Sequence, residues 1–89
     1  MILESHAELL RHTLGARADS PKRQHGYRNY FCAGIGSEDY LMCMEMVENG
    51  LMRSGHKINE GRDQYFHALR EGCEAIGLGP SAIERAFSN

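Results

Sequence analysis

Apolar positions recur at helical spacing from the start of the chain. Leu3, Ala7, Leu10 and Leu14 fall on one face of a helix read over residues 5–14. Ser5-His6-Ala7-Glu8 has the form of a capping box at its start, and Gly15 is a natural residue just past its end. The period then dissolves. Residues 15–36 are polar and contain Pro21 and Gly26, which predicts a long loop. Within it, Tyr30-Phe31-Cys32-Ala33 has strand-like composition but is short, and Tyr27, Tyr30 and Phe31 are the rings expected to pin the loop to the helices. A second helix is expected over 37–48, with Ser37 as its cap and Glu38 and Asp39 in the first turn, where the helix dipole favours anions. Tyr40, Leu41, Met42, Cys43, Met44, Met46 and Val47 wrap most of this helix, which predicts burial on nearly every side up to Asn49-Gly50. Residues 51–68 read as a two-stranded hairpin with a long tip. Helices over 70–76, closed by Gly77, and over 80–88, opened by Pro80, complete the chain. The expected fold is α+β: one small, mostly helical domain over residues 1–89 with a two-stranded β-hairpin.

Composition narrows the classes. Eighty-nine residues bury a thin core. Ten Lys and Arg against twelve Asp and Glu give a net charge of −2, far from the strongly basic balance of a histone-like binder. A hydrophobic content of 42% with 25% charged residues is that of a globular domain. No apolar run is long enough to span a membrane, and Glu4, His6 and Glu8 interrupt the N-terminal segment where a signal peptide would be apolar. A cytoplasmic location is expected. Cys32, Cys43 and Cys73 are odd in number and widely spaced, which fits reduced thiols better than a disulfide framework. No C-x-x-C or closely spaced histidine pair marks a zinc site, so no metal or other cofactor is expected, although the three cysteines with one distant histidine stay open as a set. Buried thiols acting as small hydrophobes explain them more simply.

Val47, Gly50-Leu51-Met52-Arg53, the tip between Gly55 and Gly61, Tyr65, Gly72 and Ile76 make residues 40–78 resemble the second half of a winged-helix domain. Leu69 departs from that pattern, which has a threonine cap there. The chain is also similar to a group of short proteins carried by phages and prophages, through Tyr27-Arg28-Asn29-Tyr30-Phe31, Gly34-Ile35-Gly36-Ser37 and the wing, over about two-thirds of its length. The winged-helix resemblance implies DNA binding. The phage resemblance implies host take-over, inhibition of a host defence such as CRISPR, or regulation.

Charge distribution bears on these alternatives. Residues 1–30 hold five basic and three acidic side chains, whereas residues 31–60 hold two basic and five acidic ones. The helix that a winged-helix domain would lay in the major groove carries Glu38, Asp39, Glu45 and Glu48 and no base, so it is not expected to read DNA sequence. Arg17, Lys22, Arg23 and Arg28, interleaved with Tyr27 and Tyr30, could grip a single strand or a phosphate, though a solvated loop accounts for them more simply. Gly34-Ile35-Gly36 fails as a phosphate loop, because Asp39 stands where a third glycine belongs. No catalytic residues are identified, and an enzyme is not expected.

The leading expectation is a non-catalytic interaction module of phage or prophage origin, partnered by a host or phage protein and acting as an inhibitor or modulator of a host nucleoprotein complex. Its candidate partner-binding residues are Arg17, Lys22, Arg23, Arg28, Glu38, Asp39 and Glu45. Met42 and Met46, four apart, are candidates for a homodimer contact, with core filling as the simpler use of both. The alternative function is a winged-helix DNA-binding transcriptional regulator using the basic loop with Arg53, His56 and Lys57.

Overall fold

The computed structural model describes residues 2–17 and 21–88. Its elements run α1 (Glu4–Leu14), a 3-10 turn (Lys22–Gln24), β1 (Phe31–Gly34), α2 (Glu38–Glu48), β2 (Met52–Ile58), β3 (Asp63–Ala68), α3 (Arg70–Ala75) and α4 (Pro80–Ser88). The architecture is α+β, with one correction to the expected strand count. Phe31-Cys32-Ala33-Gly34 joins the hairpin as a third strand, giving an antiparallel sheet in the order β1-β3-β2. Pairing of Phe31 with Phe66 and of Ala33 with Gln64 places β1's apolar side chains on the buried face.

Glycine ends α1, α2 and α3 in the same way. Past α1, Gly15 N–H bonds the His12 carbonyl and Ala16 N–H the Arg11 carbonyl; Gly50 with Leu51 and Gly77 with Leu78 repeat the pattern after α2 and α3. The three glycines have positive φ, as the motif requires. The start of α1 differs from expectation. Leu3 is its N-cap without a side-chain bond, and Ser5 lies inside the first turn, too late to cap it. Glu4 and Glu8 instead accept from Arg11 at 2.9 and 3.0 Å. Ser37 does cap α2, accepting from Tyr40 N–H at 3.2 Å.

The sheet divides the molecule. Its inner face carries Phe66 and Ala68 of β3 and Met52 of β2, which pack with Leu10, Leu14, Cys43 and Met46 from α1 and α2. Gly72 lets α3 close on this assembly, since a Cβ there would stand 2.3 Å from the Leu51 carbonyl oxygen. The other strand positions point away from the core: Cys32, Tyr65, His67 and Arg53 lie on the outer face. Between Ser54 and Lys57, β2 bulges, and the bulge turns His56 onto the Tyr65 ring at 5.0 Å.

The second helix is less buried than its composition predicts. Only Cys43 and Met46 are buried, and Leu41 is 56% exposed. Eleven residues against one sheet face expose one side of the helix whatever their chemistry. Met46 is fully buried and Met42 is half-buried against the core, so the two form no surface patch for a homodimer.

Candidate functional site

The segment 24–30 is built to end α1. Gly26 N–H bonds the Leu14 carbonyl at 2.9 Å, Tyr30 N–H the Thr13 carbonyl at 3.2 Å, and the Arg28 guanidinium donates through Nε and Nη2 to the His12 carbonyl, with Nε at 3.0 Å. Three carbonyls at the C-terminal end of α1 are satisfied by one stretch of chain, and a cation sits at the negative end of the helix dipole. Gly26 makes this close approach feasible. A Cβ there would lie 2.1 Å from the Ala82 carbonyl oxygen, and its φ is +82°.

Hydrogen bonds thus pin the backbone of the loop, and the tyrosine rings add contacts at its surface. Tyr27 covers Gly15 with one edge but stays 54% exposed, and Tyr30 is 50% exposed. Phe31 does pack on the core and meets His12 edge-on at 5.6 Å. Arg28 lies between the two exposed rings, its guanidinium carbon 5.5 Å from the Tyr27 centroid and 5.8 Å from that of Tyr30.

These residues open onto a cleft of about 410 Å³ that also takes in Asn29, Arg53, His67, Ala86 and Phe87. Phe87 is 51% exposed, while Ile83, one turn earlier in α4, is buried. Among the described residues that line the cleft there are two arginines, a histidine and three large rings, and no carboxylate. Asn29 sets its floor. Its side-chain amide donates to the Ala68 carbonyl and accepts from Ala68 N–H, while its own carbonyl meets His67 Nδ1 at 2.8 Å. The Tyr30 ring leans edge-on to Tyr65 at 6.2 Å, so the row of rings continues across the outer sheet face to His56.

The residues singled out from sequence are spread over three places. Arg28 belongs to the aromatic cleft, half-buried and bonded to α1 rather than free at an edge. Arg17 and Lys22 line a different cleft of about 540 Å³ beside the start of α4, with Arg11, His25 and Arg85. Arg23 is exposed on the 3-10 turn. Glu38 and Asp39 stand exposed at the start of α2. Glu45 lies toward its other end, where it pairs with His6 Nε2 at 3.0 Å and with Glu48 borders a cleft of about 1000 Å³ that includes Ile2, Leu3 and Leu51. Sequence reasoning missed Asn29, His67 and Phe87 as parts of a site. Asn29 and His67 are 38 positions apart and meet only through the pairing of β1 with β3, for which no local pattern exists.

Of the cysteines, Cys32 is exposed and Cys43 and Cys73 are buried. Burial, with the charge of Asp39 adding to it, pushes the Cys43 thiol up to about 12. Burial likewise raises Cys73. Both are protonated core groups at neutral pH. Among the described residues no three His, Cys, Asp or Glu side chains converge as metal ligands would, and no helix is long and apolar enough to cross a membrane.

Comparison with protein-family models, curated proteins and solved structures gives no match. The winged-helix and phage-protein resemblances therefore rest on the short motifs quoted above.

Proposed function

We propose that this chain is a non-catalytic macromolecular interaction module of phage or prophage origin that acts in the cytoplasm as an inhibitor or modulator of a host nucleoprotein complex. One observation carries the reading. Tyr27 and Tyr30, on a segment tied down by hydrogen bonds to α1, are half-exposed with Phe87 of α4 around a cleft that Arg28 and Arg53 also line. Tyrosine and arginine are the side chains that dominate binding hot spots, and a prefixed backbone loses little entropy on binding. The opposite charge of α2 supplies orientation, because a mixed partner with nucleic acid on one side and basic protein on the other meets complementary surfaces.

A second reading, a DNA-binding regulator of winged-helix type, is favoured by the sheet order β1-β3-β2 and by exposed Arg53, His56 and Lys57 on β2. Against it stands α2, with four acids and no base where a recognition helix would be.

The test is capture from a bacterial lysate on the immobilised full chain, with and without nuclease. Wild type is expected to retain a defined nucleoprotein complex, and Tyr30→Ala with Arg53→Glu to lose it at an unchanged melting temperature. Equal retention by the double variant, or no retention by wild type, removes the reading. A duplex gel shift that weakens steeply with salt and depends on Arg53 and Lys57 would favour the regulator instead.

A further inference from the structure

We propose that the cleft between Tyr27, Tyr30 and Phe87, continued by the outer sheet face, binds single-stranded nucleic acid without regard to base sequence or sugar. The inference rests on the interaction-module reading and gives that module its ligand. Its first support is the alternation of groups. Ring, guanidinium and ring follow one another at 5.5 and 5.8 Å in Tyr27, Arg28 and Tyr30. A single strand presents base, phosphate and base in the same alternation, and each base has a face to stack whatever its identity. An acidic peptide would answer the cation but leave the flanking rings without flat partners.

The second support is electrostatic. Arg28 and Arg53 face the cleft, and none of its described lining residues is a carboxylate. The four acids of α2 belong to the element packed on the inner face of the sheet, away from the cleft. A polyanion therefore meets attraction at this cleft and repulsion along α2, and Asp63, two residues before Tyr65 on the outer face, bounds the attractive stretch. Extension is available too, since Tyr30 abuts Tyr65 and Tyr65 abuts His56, a row of rings long enough for a strand of several nucleotides.

Indifference to sequence and sugar follows from recognition by stacking and charge, which every base and both sugars offer alike. Both polar ends of the Asn29 amide are bonded to Ala68, and two nitrogens of Arg28 are bonded to the His12 carbonyl. The amide so engaged is not available to read a base edge or a 2′-hydroxyl, while the remaining N–H groups of the Arg28 guanidinium are left for a phosphate. A duplex is disfavoured because its bases are already stacked and cannot lie on the tyrosines.

The experiment is fluorescence anisotropy of the purified full chain with labelled dT12, rU12 and a 12-base-pair duplex. Both single strands should bind with similar affinity and the duplex about tenfold more weakly. With phosphates at Arg28 and Arg53, log K should fall against log salt with a slope of about −1.4. Tyr30→Ala should weaken binding about tenfold or more, Tyr30→Phe should restore it, and both should melt like wild type. Binding of duplex as tight as single strand, a tenfold preference for one sugar, or indifference to Tyr30→Ala overturns the inference. If no oligonucleotide binds while lysate capture still depends on Tyr30 and Arg53, the ligand is wrong and the module reading stands. If capture ignores those residues as well, both fall.

Discussion

Asn29 shows how one side chain can substitute for a length of strand. The register that pairs Phe31 with Phe66 would place Asn29 opposite Ala68, but the backbone has turned away, with Tyr30 N–H already bonded to the Thr13 carbonyl of α1. The Asn29 amide copies a peptide group and completes the ladder, accepting from Ala68 N–H at 2.7 Å and donating to its carbonyl at 3.1 Å. Asn29→Ala leaves both groups of a buried residue unpaired and is expected to cost about 1–3 kcal/mol, read as a lower urea midpoint at unchanged slope. Asn29→Asp keeps the acceptor but sets a carboxylate against the Ala68 carbonyl, so it too should destabilise. Cys43 makes a prediction in pH. Its thiol is raised in the folded chain from 9.0 to about 12. Below pH 9 both states hold the proton and stability is intact. Between pH 9 and about 12 the unfolded chain releases it first, so stability falls through that window. Cys43→Ala should be less stable at pH 8 but lose less on going to pH 11, with buried Cys73 contributing to the slope that remains. Thermal melts of both proteins across that range decide it.

At the level of elements, the latch made by residues 24–30 links the fold to the candidate site. Gly26 is its tightest point, at φ +82° against the Ala82 carbonyl. Gly26→Ala combines a left-handed conformation, about 1–2 kcal/mol, with an overpacked contact of about 1–3 kcal/mol. It is expected to lower the melting temperature by well over 5 °C and to weaken ligand binding as the tyrosines lose their support. Unchanged stability would mean that α4 can shift away from the latch at little cost. The sequence made the helix ends legible, because Gly15, Gly50 and Gly77 act through local backbone geometry alone. Ser37 was legible for the same reason, and so was Pro80 at the first position of α4. The third strand was not. Four residues with a single buried member carry almost no period, and β1 exists because β3 offers it an edge. The loop's basic residues were visible as a group, yet whether Arg28 faced solvent or α1 depended on a carbonyl sixteen residues away. Phe87 follows buried Ile83 by one turn of α4, and the position of α4 at the rim of the cleft leaves it exposed.

Across the whole molecule, α2 and the aromatic cleft carry opposite charge on opposite sides of the sheet. Arg28 and Arg53 open onto the outer side with the exposed rings, while α2, on the inner side, carries only acids among its charged residues. The placement of those acids is informative. Glu38 and Asp39 stabilise the first turn through the dipole, but Glu45 and Glu48 lie near the C-terminal end, where an exposed anion costs about 0.3–1 kcal/mol. Glu45 has a partner in His6. Glu48 is exposed, and folding alone would favour a base there. If its charge serves instead to keep polyanions off the helical side, Glu48→Lys should separate stability from discrimination. The variant should melt a few degrees higher, since the helix end gains a favourable charge. It should also bind the 12-base-pair duplex more tightly at low salt, because repulsion on the helical side has become attraction, while dT12 binding on the outer face changes by less than about twofold. A higher melting temperature with unchanged duplex binding would leave Glu48 as an unfavourable charge without a role in excluding DNA, and the asymmetry of the molecule would then have to act through Glu38 and Asp39 at the other end of the helix.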